Sequence, residues 1–401
     1  MKKFVIILLV ILLAFGGYLT WLSYQPEQHM AVTDEDIPAY DGVMAEEAAH
    51  SLACCLDYDA IRGLYADDKV VMTINDRDIT WAEYYGWFYM NAMQVETFFE
   101  QMAMYYGVAA SWDGSVGDDS GMVYADLPAV STEETLIRFG AIENLAAQMG
   151  VELSAESLAE LEDEAMAKAV LGEDATVDEL LAALEEMSMD IESYRRITAI
   201  NLLYTDMLSA QYGADCELVD NAAVAQWLAD QGYMSANHIL FLTMDKDTGD
   251  KVDEATAAQK KAQAEEIYAE LAAIEDTEEL VARFTELKAE YCEDGGKVNN
   301  PNGYTFTSGT MVAEFENTVT ASEDYQLNAP VETSYGWHII LRLPLGADSQ
   351  ISDSSGISVQ AGWVYAQEEM NAKVAALIQE AQVIYTDDFT APNILDYILE
   401  E

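Results

Sequence analysis

Histidine is scarce in this 401-residue chain, with four in all, and cysteine is equally rare. Positive charge is rarer still in proportion: 18 Lys and Arg stand against 73 Asp and Glu, a net charge of -55. A surface that acidic repels phosphate backbones and anionic headgroups, which excludes nucleic-acid binding. The cysteines, Cys54, Cys55, Cys216 and Cys292, make no zinc spacing, and neighbours such as Cys54 and Cys55 rarely bond to each other, so the sequence leaves disulfide connectivity open. No glycine-rich phosphate loop follows a strand, and "SYGW" lacks the serine-hydrolase elbow. The run "DKDTGDKVDEAT" from Asp245 has Asp250 and Thr256 where a calcium loop needs glycine and glutamate, and reads as a surface loop. No cofactor and no metal site is expected.

What the chain does contain is apolar mass: 51% of its residues are hydrophobic, enough for a sizeable interior, and the length suggests two or three domains. Two lysines precede an uncharged run, residues 4–22. As a helix rising ~1.5 Å per residue, those 19 residues nearly span a ~30 Å hydrocarbon core. Lys2 and Lys3 on the short side predict a cytoplasmic N-terminus, with the rest on the extracytoplasmic side. No A-x-A site follows the run, which favours an uncleaved anchor over a cleaved signal peptide, in which case the chain would be secreted.

Pattern divides the remainder. Residues 1–24 are the anchor or signal, and 25–66 an acidic tether with one helix from Ala45 to Leu56; His29 and His50 lie there without a role. Residues 67–230 read as helical after a strand at Val70 to Asn75. A capping box, Thr80 with Glu83, opens a helix through Tyr106, and 107–130 is a loop. Ser131 and Glu134 open a helix to Gly150, "LSAES" another to Leu171, Thr176 and Glu179 a third; Asp190 caps a long one to Gln211, and a further helix covers Asp220 to Asp230. From residue 231 to 345 the texture changes: a strand (His238 to Thr243), helices at Glu254 to Ile274 and Asp276 to Tyr291, a Gly/Asn/Pro loop, a helix at Met311 to Thr318, and strands near Val331 and at Trp337 to Leu343. Residues 346–401 read as a polar linker (346–360), a helix from Trp363 to Gln382 and a terminal helix from Pro392. The fold class is α+β: a mainly helical domain, an antiparallel sheet wrapped by helices, and a helical return.

The scarce histidines then gain meaning. "ANHILF", "EYCED", "NGYTFTSGTMVAEFE" and "PVETSYGWHIIL" occur in the order and spacing of a parvulin-type peptidyl-prolyl isomerase, the PpiC or rotamase family. The opening "VVMTINDRDITWAEY" resembles the helical N-terminal domain of exported foldases of the PrsA and SurA type. The resemblance implies that His238 and His338 are the paired histidines facing each other across a central sheet. It implies that Asp294 and Thr333 complete the polar set, with Cys292 two residues before Asp294. Met311 and Phe315, four apart on one helix face, match the apolar pocket for the substrate proline, and Gly303 the glycine ending the active-site loop. Two positions depart from the pattern: Asn302 replaces a leucine and Thr305 a phenylalanine, for which Phe306 substitutes by a one-residue shift. The loop from Asp294 to Gly303 is one residue short.

The resemblance therefore implies an extracytoplasmic foldase that isomerises X-Pro bonds and chaperones unfolded exported polypeptides. The alternative is a catalytically silent holdase that uses the fold only to grip chains. A surface adhesion protein would also tolerate the acidic surface, but the chain has no internal repeats.

Overall fold

The computed structural model describes residues 56–399, apart from 109, 118–120, 188, 246–247 and 353–357. The predicted membrane span, residues 4–22, and most of the predicted tether lie outside them. Among the described residues no helix is long and apolar enough to cross a membrane. The chain divides by compactness into two units: one ends at Met207 and resumes at Asn371, the other is Leu208–Met370.

The first unit starts with α1 (Tyr58–Arg62) and a hairpin, β1 (Val70–Ile74) and β2 (Arg77–Thr80). Its two-residue turn is Asn75-Asp76, with φ of 49° and 68°; both positions need the left-handed region that Asn and Asp tolerate, which matches the twist of the paired strands. The sheet order is β2-β1-β9, with β9 (Val383–Tyr385) antiparallel to β1. Thr80 caps α2 (Trp81–Tyr106), accepting from Glu83 N at 3.4 Å. The return bond of the expected capping box is replaced: the Glu83 carboxylate lies against Arg77 at 2.6 Å and Arg196 at 3.3 Å.

Four more helices, α3 (Leu127–Met149), α4 (Ala155–Glu160), α5 (Asp163–Leu171) and α6 (Val177–Glu186), precede the long α7 (Ile191–Tyr212). Three details differ from expectation. α3 begins before Ser131, because Pro128 fits a first helical turn, where its missing N–H costs nothing. The single helix expected to reach Leu171 breaks at Leu161 and Glu162; Glu162 is extended (ψ 138°), and acidic Asp163 and Glu164 restart the helix where its N-terminal dipole favours them. The terminal helix expected from Pro392 is one 3-10 turn, Ile394–Tyr397.

The second unit carries the sheet: β3 (Tyr233–Leu242), β4 (Tyr304–Thr307), β5 (Leu327–Glu332) and β6 (Gly336–Leu343), in the order β4-β3-β6-β5, all antiparallel. Side chains alternate between its faces. Ile239, Phe241, Ile339 and Leu341 pack with Leu271 of α9 (Glu254–Leu271) and with Phe284 and Leu287 of α10 (Thr277–Tyr291). Ala236 and Ile340 pack with Phe315 and Val319 of α11 (Ala313–Ala321). The strand at 304–307 was not expected. The segment expected as a linker holds a hairpin, β7 (Gln350–Ser352) and β8 (Ser358–Gln360). Its Ile351 shares a buried cluster with Val224 and Leu228 of α8 (Asn221–Asp230) and Ala361 of α12 (Ala361–Glu380), so α8 and residues 346–370 cluster with the sheet unit.

Candidate active site

The site lies on the α11 face of the sheet. β3 and β6 pair with His238 opposite Ile340 and Leu240 opposite His338. That register sets the two histidines on one face as diagonal neighbours. Their ring centroids are 5.1 Å apart at 73°, and Phe315 stands edge-on to both, 5.3 Å from His238 and 5.6 Å from His338. Phe306 of β4 lies 5.9 Å from Phe315. Both imidazoles are buried, and neither Nδ1 has a hydrogen-bond partner among the described residues.

The polar partners come from the segments that follow α10 and β5. α10 ends at Cys292, whose carbonyl accepts from Lys297 Nζ and whose sulfur accepts from Leu240 N at 3.4 Å. Glu293 N donates to Leu240 O at 2.8 Å, so residues 292–293 run along β3 and deliver Asp294 to His238. Asp294 Oδ2 is 3.2 Å from His238 Nε2 and accepts from the Tyr304 hydroxyl; Oδ1 accepts from Gly296 N at 3.0 Å. On the other side Thr333 Oγ1 is 2.9 Å from His338 Nε2.

These contacts divide the charge between the two rings. Burial opposes a proton on His238, but the Asp294 bond and the Cys292 sulfur outweigh it, and its pKa is raised. Burial, reinforced by repulsion from His238, pushes His338 down to about 3. The bond from His238, helped by Tyr304 and Gly296, holds Asp294 well below the usual carboxylate range against the opposing effect of burial. Burial raises Tyr304, and the Asp294 charge raises it further. Burial opposes ionisation of the Cys292 thiol, yet its contact with His238 leaves its pKa lowered. The environment therefore favours a proton on His238, against Asp294, over one on His338, so the two rings face the pocket with unequal affinity for a proton.

The structure gathers His238, His338, Asp294, Thr333, Cys292, Phe306 and Phe315 in one place. Gly303 ends the loop with φ of 112°, and a Cβ there would stand 2.7 Å from Ala236 O, so the loop can reach β4 only through a glycine. Met311 is a correction: it precedes α11, whose cap is the extended Val312, so it does not share a helix face with Phe315, although it packs on the same cluster. Sequence reasoning passed over Tyr304, Asn237 and Lys288. The tyrosine sits next to Gly303 inside a quoted motif, and its polar tip beside a loop carboxylate was the available signal.

Comparison with a family model agrees with this reading of the site. Residues 238–343 match the family model described as a rotamase, the PPIC-type PPIase domain. No curated protein matches the chain. Among solved structures, PrsA from Bacillus subtilis is 16% identical, covering 79% of this chain and 92% of its own, with a TM-score of 0.23. A structure of two SurA-like chaperones of Campylobacter jejuni, PEB4 and the periplasmic Cj1289, is 20% identical over 79% of this chain and 100% of the other (TM-score 0.23). The parvulin NmPin of Nitrosopumilus maritimus is 23% identical over 28% of this chain and 96% of its own (TM-score 0.20). The matched span begins at the first paired imidazole and ends with β6, which carries the second: residues 238–343 are a parvulin-type domain of the PPIC rotamase family.

Proposed function

We propose that the chain is an extracytoplasmic foldase, held at the membrane by residues 4–22 or secreted if these are cleaved. Its parvulin-type region (231–345) isomerises X-Pro bonds, and its helical region (67–230) holds unfolded exported polypeptides. The observation that carries this reading is the imidazole pair with Phe315 packed edge-on to both rings. Rotation about a peptide bond faces ~18–20 kcal/mol because resonance keeps it planar, so the reaction needs no nucleophile. It needs the proline ring held, water removed and the twisted amide favoured over both planar forms. Met311, Phe306 and Phe315 are the apolar side chains for the first two tasks. His238, with Asp294 and the Tyr304 hydroxyl, supplies polar contacts to the amide as conjugation breaks.

The test is magnetisation-exchange NMR of a prolyl peptide with the full chain and with Met311→Ala/Phe315→Ala. Catalysed exchange in wild type that falls at least about tenfold in the variant supports the reading; uncatalysed rates in both refute it. One observation favours the silent holdase: Phe315 is 2% and Phe306 4% exposed, so a proline ring must displace neighbours to reach them. Suppressed aggregation of a proline-free client, without catalysed exchange, selects that reading.

A further inference from the structure

Lys288 is the unexpected group near the site. It lies in the last turn of α10, on a helix that packs against the opposite face of the sheet, and it is 2% exposed. A long cation almost never goes under cover unless it is paired. Here Nζ donates to Asn237 Oδ1 at 2.7 Å and to the Asn300 carbonyl at 2.6 Å, and the Tyr304 ring centroid is 5.7 Å away. Burial lowers its pKa, with the nearby Cys292 and Asp294 opposing that effect.

Each of those two acceptors leads to one end of the His238–Asp294 bond. Asn237 Oδ1 also accepts from His238 N at 2.9 Å, so it fixes the backbone that carries the imidazole. The Asn300 carbonyl also accepts from Gly303 N at 3.2 Å, and the loop from Asp294 to Gly303 is tied internally by Asn300 N and Nδ2 to Gly296 O. Gly303 in turn leads into Tyr304, whose hydroxyl donates to Asp294 Oδ2. One ammonium thus holds the strand before the histidine and the loop that aims the carboxylate.

We infer that Lys288 is a positioning residue of the site, its buried ammonium holding His238 and Asp294 in register through Asn237 and the Asn300 carbonyl. It touches neither the ring nor the carboxylate. The inference rests on the isomerase reading for its kinetic consequence, and on geometry alone for its structural one. A plain helix-end cation would satisfy the last carbonyls of its own helix; Lys288 instead reaches across to two other segments.

The experiment uses the full chain and Lys288→Met, which keeps length and removes the donors. Two things are read: the ring ¹⁵N shifts of His238 through a pH titration, and prolyl-peptide exchange. The groups facing His238 are Asp294, Cys292, Tyr304 and His338, all unaltered by the substitution. The expected result is a His238 titration midpoint displaced downward, toward the value of an unpaired buried ring. With it, kcat should fall about tenfold or more while KM changes less than about twofold, as a misplaced polar group slows chemistry rather than binding. A folded Lys288→Met whose His238 signals coincide with wild type overturns the inference, whatever its exchange rate. If Lys288→Met does not fold, Lys288→Leu, which likewise removes the donors, is read by the same criterion. If wild type itself catalyses no exchange, the isomerase reading falls, and the ring shifts still decide whether Lys288 holds the pair.

Discussion

His338 should make the sheet unit acid-sensitive in a window where its neighbour is silent. Its pKa is pushed from 6.5 down to about 3 by burial and by repulsion from His238. A group with a depressed folded pKa contributes stability that is present above its unfolded value and lost as pH falls toward the folded one. Near pH 5 the unfolded ring is protonated and the folded ring is not, so unfolding takes up nearly one proton and stability falls by roughly 1.3 kcal/mol per pH unit. Between pH 8 and pH 5 the loss amounts to about 2 kcal/mol. His238 is silent only below 6.5: its folded pKa is raised, so its own contribution is fully present there and is lost as pH rises, opposite in sign to that of His338. Asp294, held low, gives up its contribution only below about 3.8. The comparison is wild type against His338→Gln, which retains a donor toward Thr333 but does not titrate. Urea unfolding at several pH values between 4.5 and 8, followed through the amides of β3 and β6, should give a wild-type slope steeper by about one proton. Equal slopes in the two proteins refute the assignment of His338 as the buried neutral ring.

Two other perturbations follow from the geometry. Glu96 of α2 is 8% exposed, and burial raises its pKa to about 7, with repulsion from Glu100 adding to it. Because the folded value is raised, its contribution is complete below about pH 4.5 and disappears as pH passes through 7; Glu96→Gln should stabilise the first unit at pH 8 by up to about 3 kcal/mol and do little at pH 4.5, measured by chemical unfolding. Gly303→Ala should destabilise the sheet unit by about 1–3 kcal/mol, since the new methyl meets Ala236 O at φ 112°; an unchanged unfolding midpoint would show that the loop relaxes freely.

Much of this architecture was legible from local pattern. Thr80, Thr176 and Asp220 start their helices by accepting from the next turn, an effect confined to a few residues that sequence shows directly. The strings around His238 and His338 mark β3 and β6 because an apolar alternating run carries its own period. What stayed hidden depended on partners far along the chain. β4 is four residues, Tyr304–Thr307, and is a strand only because β3 lies beside it. The β7-β8 hairpin is polar along much of its length and is recognised by Ile351 under α8 and α12. Met311 was misplaced because a spacing of four imitates a helix turn, whereas an extended Val312 postpones the helix by two residues. Lys288 looks like one more charged residue on an amphipathic helix; nothing local says that a strand asparagine and a loop carbonyl converge on its tip.

The β2-β1-β9 sheet has a temporal consequence. Val383, Ile384 and Tyr385 register against Ile74, Thr73 and Met72, more than three hundred residues earlier in the chain. A ribosome delivers residues 208–370 as an uninterrupted block before β9 exists, so that block can reach its native form while β1 still waits with one open flank. Such a long closing loop makes the first unit the slow partner in biogenesis. Any nascent chain stalled before residue 383 would display a strand edge competent to pair with a stranger.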